Sequence, residues 1–378
     1  MIKVKKLILP TTIAALMTAA SVVPMQAHAA KAEFSFSGQI SRAVSQVDNG
    51  IDTDTLHVDN NNSGTRLRLK GQTDLENGMT AGVYWETQYQ DNDSSAVDIG
   101  DKDTSSAFKS RIREVWFSGD WGKLYLGQGN GAANGTSEVD FSGTTIADYS
   151  GNNLDDGISF VSKSSTTTVK NGDAFDNFDG LSRNDRLRYD LPKWGPVGLA
   201  LSTGQERTEV ALRYSSKFDA GGKLGIAAGF VTQDGFTSGS PAKVGIVGGV
   251  PAVIPAVAPV PNDFEQLGIS ASILFASGFN ITVHVGEQDL ESASVDPEGT
   301  WIKVGKITGQ HNYSVSFHTV DDLDDVGDEA ERTNLSYVYN MAKYGVELFG
   351  TFQTSSLDRT GVNFEDVEQF AIGSRIKF

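Results

Sequence analysis

The chain reads as an all-β protein, a transmembrane 16-stranded antiparallel β-barrel whose third loop is long and folds inward. Three observations predict this. Runs of about ten residues alternate apolar and polar side chains nearly from end to end, the signature of strands with one greasy and one wet face. Short and long connections alternate between those runs. One stretch, 129–182, has no period at all and consists of Gly, Asn, Ser, Thr and carboxylates. A patternless connection longer than about 15 residues is uncommon and usually functional or disordered.

Residues 1–29 read as a removable leader. Lys3, Lys5 and Lys6 precede an apolar stretch from Leu7 to Val23, and Ala27-His28-Ala29 supplies the small-x-small cleavage pattern. Cleavage is expected after Ala29, with Ala30-Lys31-Ala32 as a second site. Removal takes three lysines and no acid, leaving 28 basic against 48 acidic residues, a net charge of −20. Such a chain repels phosphates, so no nucleic-acid partner is expected. It has no cysteine, so packing and hydrogen bonds must hold an exported protein together. A hydrophobic fraction of 39% and a mean hydropathy of −0.25 exclude a helical membrane protein. No composition shift divides residues 30–378, which are expected to form one barrel domain with 129–182 as its constricting loop. A barrel with a wet lumen accounts for the low hydropathy without a filled soluble core.

The elements follow in order. Phe34, Phe36, Ile40 and Val44 share one parity and Ser35, Ser37, Gln39 and Ser41 the other. Asp48 to Ser63 reads as a loop. Arg66, Arg68, Lys70 and Gln72 then alternate with Leu67 and Leu69, and Glu76-Asn77-Gly78 makes a tight turn into Ala81, Val83 and Trp85. Ala107 to Ser118 is strand-like, although Arg111, Arg113 and Glu114 blur its parity. Lys123 to Gln128 leads into the interruption. After it, Leu187, Tyr189 and Leu191 oppose Arg186, Arg188 and Asp190, and Pro192 to Pro196 turns the chain. Further runs include Val197 to Leu201, Val210 to Tyr214, Ile226 to Phe230 and Leu267 to Phe275. The remainder are Phe279 to Val285, Trp301 to Thr308, Tyr313 to Phe317, Leu335 to Tyr339, Tyr344 to Phe352 and Phe370 to Phe378. The even number and the alternation place the termini and short turns on the periplasmic side. Sixteen strands leave room for an aqueous channel. Trp85, Tyr89, Tyr189, Trp194, Tyr214, Tyr313, Tyr337 and Tyr344 fit interfacial girdles.

Other stretches carry weaker signals. Val244 to Val260 contains Pro251, Pro255 and Pro259, which predicts an extended, polyproline-like outer loop. Asp321-Asp322-Leu323-Asp324-Asp325 opens an acidic loop but lacks the twelfth-position carboxylate of a calcium loop, where Thr333 stands. No cofactor is expected beyond weak calcium or magnesium binding at such acidic extracellular loops. Gly127, Gly129 and Gly131 lack the third glycine of a dinucleotide fingerprint. His57, His284, His311 and His318 have no helical metal-ligand spacing and no Gly-x-Ser-x-Gly elbow exists, so no enzyme is expected.

Four segments resemble a known family, the trimeric general diffusion porins of Gram-negative outer membranes. They are Thr65-Arg66-Leu67-Arg68-Leu69-Lys70-Gly71 with Leu75-Glu76-Asn77-Gly78-Met79; Ser118-Gly119-Asp120-Trp121-Gly122-Lys123-Leu124-Tyr125-Leu126-Gly127; Arg186-Leu187-Arg188-Tyr189-Asp190-Leu191-Pro192; and the terminal Phe378. The last is similar to the signal read by the barrel-assembly machinery. The resemblance implies a homotrimer in lipid and lipopolysaccharide that passes small hydrophilic solutes by diffusion. It also implies a pore constriction between a basic wall and an acidic loop. Arg66 and Arg111 take ladder positions, and Arg183, Arg186 or Arg188 the third, with Arg68 and Arg113 as neighbours on the same strands. Asp140-Phe141-Ser142-Gly143 resembles the loop tip, with Glu138, Asp148, Asp155 and Asp156 as further acidic candidates. Mild cation selectivity is expected. A sugar- or phosphate-selective channel, and a plugged barrel serving as adhesin or receptor through its outer loops, remain alternatives.

Overall fold

A computed structural model describes residues 32–219, 221–234, 263–291 and 295–378 in full, and the backbone alone at 236–237, 243–247, 250–254 and 260–261. The expected leader, residues 1–29, lies outside the described residues.

The strands run β1 (Glu33–Asp48), β2 (Thr53–Asp59), β3 (Arg66–Asp74), β4 (Thr80–Gln90), β5 (Ala107–Gly119) and β6 (Gly122–Gly129). A long connection follows, holding the short hairpin β7 (Ser159–Val161) and β8 (Thr168–Lys170) and one helical turn, Asn171–Ala174. The wall resumes with β9 (Asn184–Asp190), β10 (Val197–Gly204), β11 (Arg207–Lys217) and β12 (Lys223–Gln233). Beyond it lie β13 (Phe236–Thr237), β14 (Lys243–Val247), β15 (Val250–Ile254) and β16 (Val260–Pro261), then β17 (Phe264–Leu274) and β18 (Phe279–Leu290). Next come β19 (Glu298–Thr308), β20 (His311–Asp321), β21 (Glu329–Met341), β22 (Val346–Arg359), β23 (Val362–Asn363) and β24 (Val367–Lys377).

All pairings in the main sheet are antiparallel, each wall strand pairing with the next wall strand along the chain, and β24 returns to β1 with Ile40 opposite Ile376. The sheet therefore closes into a barrel of sixteen strand positions, with β2 and β3 sharing one position and β23 leading into β24. Closure leaves no unpaired strand edge for a bilayer to solvate, which an open sheet cannot achieve. The seam is completed by Phe378, whose backbone exchanges hydrogen bonds of 2.8 and 3.0 Å with Gly38. Its ring lies over Gly38, where a Cβ would stand 2.6 Å from the ring.

The period of two sorts the side chains as a membrane barrel requires. Leu212, Ile226, Val283, Val285, Ile302, Phe317, Leu335, Phe352, Phe370 and Ile372 are exposed on the outer face. Their inward neighbours, such as Ser270, Ser272, His284, Lys303, Ser316, Asn334 and Gln353, are buried and polar. Trp85, Tyr89, Trp194, Tyr313 and Tyr344 are exposed outward, as girdle residues must be.

Three expectations are corrected. Asp48 to Ser63 is not all loop: Thr53–Asp59 forms β2, pairing Leu56 with Ser45 on β1. Long and short connections do not alternate throughout, because only Gln205 and Glu206 join β10 to β11, with Glu206 at a φ of 57°. The Val/Pro-rich stretch is not a free polyproline path. Its backbone forms paired ladders, β14 with β15 and β13 with β16, and Pro251 stands opposite Ile246.

Candidate functional site

The connection between β6 and β9 enters the barrel and is fastened to its inner wall. The wall is shaped for it. Inward positions of β17 and β18 are Gly268 and Gly286, where an added Cβ would lie 2.2 Å from Ser137 Oγ and 2.5 Å from Phe178 Cβ. Neighbouring serines hold the loop backbone: Val139 N donates to Ser270 Oγ and Phe141 N to Ser272 Oγ, each at 3.0 Å. Earlier in the loop, Ala133 N donates to Glu209 Oε2 at 2.9 Å, and Arg213 donates to the Ala132 and Asn134 carbonyls. Further round, Thr144 and Ser314 hydroxyls meet at 2.7 Å.

Two buried cations form the strongest fastenings. Lys303 on β19, with no exposed side-chain surface, donates to Asp140 Oδ2 at 3.0 Å and lies 3.4 Å from Asp148 Oδ2. It also donates to the Asp148 carbonyl at 2.7 Å. Arg332 on β21 reaches Asp155 Oδ2 at 3.1 Å and stacks on Phe175, 4.0 Å from the ring centre. Charges taken this far from water are tolerated only when paired and hydrogen-bonded, and removing one partner of such a pair costs about 3–5 kcal/mol. An apolar cluster adds to them. Ile146, Leu154, Ile158, Phe160, Val169 and Phe178 of the loop pack with Val47, Leu56, Val58, Val320, Val338 and Phe349 of the wall. One side of the barrel thus has a filled core of its own.

What the loop leaves open is a cavity of about 700 Å³. Arg66, Arg111 and Arg375 line it from the wall, and Glu138, Asp176, Asp179 and Arg183 from the loop. On the wall, Arg111 donates to Glu86 Oε1 and Gln88 Oε1, each at 2.7 Å, and Arg68 donates to Glu86 Oε2 at 2.6 Å. Arg66 donates to Gln88 Oε1 at 3.3 Å, and Arg375 to Glu347 Oε2 at 2.6 Å. These bonds spread the guanidinium groups along the wall in fixed positions. On the loop, Asp179 accepts from the backbone N–H groups of Gly135 and Ser137 at 2.6 and 2.9 Å, and Asp176 from that of Phe178 at 2.5 Å. Glu138 opens to the lumen. Enclosure by the barrel and the Asp179 carboxylate beside it push its carboxyl up to about 8. Water on its exposed side works against that rise.

The predicted residues fall into four groups. Arg66, Arg111, Arg183 and Glu138 meet on the one cavity. Arg68, Arg186 and Arg188 face the lumen outside it: Arg186 is locked to Glu114 at 2.5 Å and Arg188 to Asp190 at 2.7 Å. Asp140, Asp148 and Asp155 do not face the gap but anchor the loop, and Asp156 is half-buried, accepting from Asn153 at 2.7 Å. Arg113 lies on the outer face, opposite Trp85 and bonded to Gln128 at 2.9 Å. The register shift at Glu86/Thr87 turns Arg111 inward and leaves Arg113 pointing out. The acidic loop opened by Asp321 carries its own cation, since Arg359 donates to Asp324 and Asp328 at 2.5 Å.

Sequence reasoning missed Asp176, Asp179, Arg375, Lys303 and Arg332 at these positions. Lys303 and Arg332 had a usable signal: each is a lone basic residue at an inward strand position, between Trp301 and Gly305 on β19 and between Ala330 and Asn334 on β21.

Residues 12–360 match the family model described as Gram-negative porin. Outer membrane protein U of Vibrio parahaemolyticus serotype O3:K6 is 25% identical over 174 residues, 46% of this chain and 48% of that protein. The chain thus spans about half the length of this curated relative. Among solved structures, the anion-selective porin from Comamonas acidovorans superposes with a TM-score of 0.61 at 16% identity, covering 92% of this chain and all of that one. In-vitro folded OmpT of Vibrio cholerae, in its trimer form, gives 0.56 at 12% identity over 92% and 99% of the two chains.

Lys303→Met should free the loop from β19 by stranding Asp140 and Asp148. The expected result is a loss of about 3–5 kcal/mol in urea unfolding from vesicles, with noisier single-channel current. Wild-type stability together with quiet current would show that this fastening does not hold the loop.

Proposed function

Since this chain belongs to the Gram-negative porin family, whose members are channels without enzymatic chemistry, we propose that it forms a water-filled outer-membrane pore for passive diffusion of ions and small hydrophilic solutes. The carrying observation is the open cavity between the arginine-lined wall and the acidic edge of the loop. Fixed charges of opposite sign across a narrow aqueous gap set up a transverse field. Polar solutes align with the field, while apolar ones must disrupt the water it orders. The gap itself supports this reading over a plugged barrel acting only as an adhesin or receptor.

Ion preference is weak and leans toward cations. Arg111 and Arg68 share Glu86, and Arg375 and Lys377 share Glu347, which mutes the wall. Glu138, Asp176 and Asp179 have no basic partner within ion-pair distance among the described residues, and the excess of acid over base in the whole chain draws cations to the mouths. The leader, residues 1–29, is removed on export, and Phe378 serves as the signal for barrel assembly in the outer membrane.

The assembly is a homotrimer. Arg113 and Ser110 both donate to Gln128 Oε1 on the outer face, at 2.9 and 3.3 Å, with Arg113 the third outward residue from the short turn at Gly119. An arginine facing lipid near mid-membrane costs about 2–4 kcal/mol. A neighbouring subunit over this face removes that cost, whereas lipid does not. The expected effect of Arg113→Leu is a trimer that dissociates at lower temperature in unboiled SDS gels. An unchanged dissociation temperature would place the subunit contact elsewhere.

The raised carboxyl of Glu138 makes selectivity depend on pH. Above its titration the group is charged and attracts cations; below it the group is neutral. Reversal potentials in planar bilayers under a salt gradient should therefore show cation preference rising with pH between the ordinary carboxylate value of about 4.5 and about 8. Glu138→Gln should remove that rise. A clear anion preference throughout, or a pH dependence retained in Glu138→Gln, would contradict the assignment.

A further inference from the structure

A second lumen cavity, of about 620 Å³, lies on the side of the gap that carries the chain termini, and Asn130 borders both spaces. Its lining differs in kind from the gap. Tyr84, Trp116 and Tyr125 face inward from β4, β5 and β6, and Lys70, Lys123 and Arg188 stand among them. Trp116 lies flat on Gly82, its partner across the ladder, where a Cβ would come within 2.3 Å of the indole. The wall at this level is therefore an aromatic surface made possible by a missing side chain.

The cations are held on that surface. Lys123 Nζ sits 3.9 Å from the centre of the Trp116 ring and 4.8 Å from that of Tyr125. Lys70 Nζ sits 4.7 Å from the centre of Tyr84. Of the carboxylates near the lysines, Glu114 is engaged by Arg186 at 2.5 Å and Asp190 by Arg188 at 2.7 Å, while Glu33 borders the cavity without a basic partner within ion-pair distance among the described residues. Among the described residues neither lysine has a carboxylate within ion-pair distance. Each ammonium carries three donors, and a ring face satisfies them only weakly. Arg66, Arg68 and Lys70 occupy successive inward positions of β3, so a row of positive charge leads from the gap down to this cavity.

We propose that this cavity is a binding subsite for small aromatic carboxylates on their way through the pore. The inference rests on the pore reading above and adds a ligand class to it. The carboxylate takes the ammonium groups of Lys123 and Lys70, and the ring of the solute takes the place on Trp116 or Tyr125 that the lysine now covers. An inorganic anion could use only the lysines, and a neutral aromatic only the rings. Binding both at once is what selects the class.

The test uses purified protein in planar bilayers with benzoate, acetate or benzamide added to both sides at neutral pH. Benzoate should reduce the single-channel current in a concentration-dependent way, acetate should need about tenfold more, and benzamide should have no effect. The combined Lys70→Gln and Lys123→Gln variant should raise the benzoate concentration for half-reduction about tenfold, and Lys123→Arg should restore much of the effect. These expectations treat one charge-assisted contact as worth roughly a factor of ten. The subsite is overturned if a conducting channel ignores benzoate, if acetate acts as strongly, or if the double variant responds as the wild type does. Absence of any current would instead sink the pore reading, and the subsite with it.

Discussion

The interior geometry depends on Lys303. It is a fully buried ammonium on a β-strand, gripping two carboxylates and a carbonyl of a loop that would otherwise lie free in water. A closed barrel of this width has no intrinsic reason to be narrow. Narrowness must be imposed by a segment whose attachment to the wall outweighs the entropy of confining more than fifty residues. The structure meets that cost twice, with paired charges at Lys303 and Arg332 and with an apolar cluster from Ile146 to Phe178. The first fixes where the loop sits and the second makes leaving it expensive, since exposed apolar area is penalised at about 25 cal/mol per Å².

Sequestering cations behind the loop has an electrical consequence. Lys303 and Arg332 pair with Asp140, Asp148 and Asp155 out of contact with the gap and offset two of their three charges. The acids left facing water, Glu138, Asp176 and Asp179, are those held by backbone N–H groups or left open to the lumen. Acidic composition alone therefore overstates the negative charge a passing ion meets. The same separation distinguishes two levels of the lumen. A field across water operates at the gap, and an aromatic floor under loose lysines lies toward the termini.

The wall was legible in the sequence because its physics is local. Each residue faces either lipid or lumen, so a period of two survives in Leu267 to Phe275 and in Tyr313 to Phe317 without any knowledge of neighbours. Reading failed where that rule is suspended. At the bulge opposite Glu86 and Thr87 the ladder slips by one residue, so Arg111 and Arg113 share a parity in the sequence yet face opposite ways. In β2, Asp54, His57 and Asp59 look like loop residues because the strand ends in a polar rim rather than in lipid. Within the third loop, Ile146, Leu154, Ile158, Phe160 and Phe178 follow no period because they are matched to the wall and not to a regular element. Acids that bind a buried lysine and acids that face water look identical in one dimension, so Asp140 could not be told from Asp179 before the partners were placed.

The central claim is that the loop stays docked on the far wall while the channel conducts. The protein contains no cysteine, so one engineered pair reports without background. Thr144 and Ser314 touch through their hydroxyls at 2.7 Å. With Thr144→Cys and Ser314→Cys, mild oxidation should link loop to wall in nearly every molecule and leave the single-channel conductance as it was before oxidation. Failure of the pair to link in a folded barrel, or a large fall in conductance once it is linked, would contradict the account.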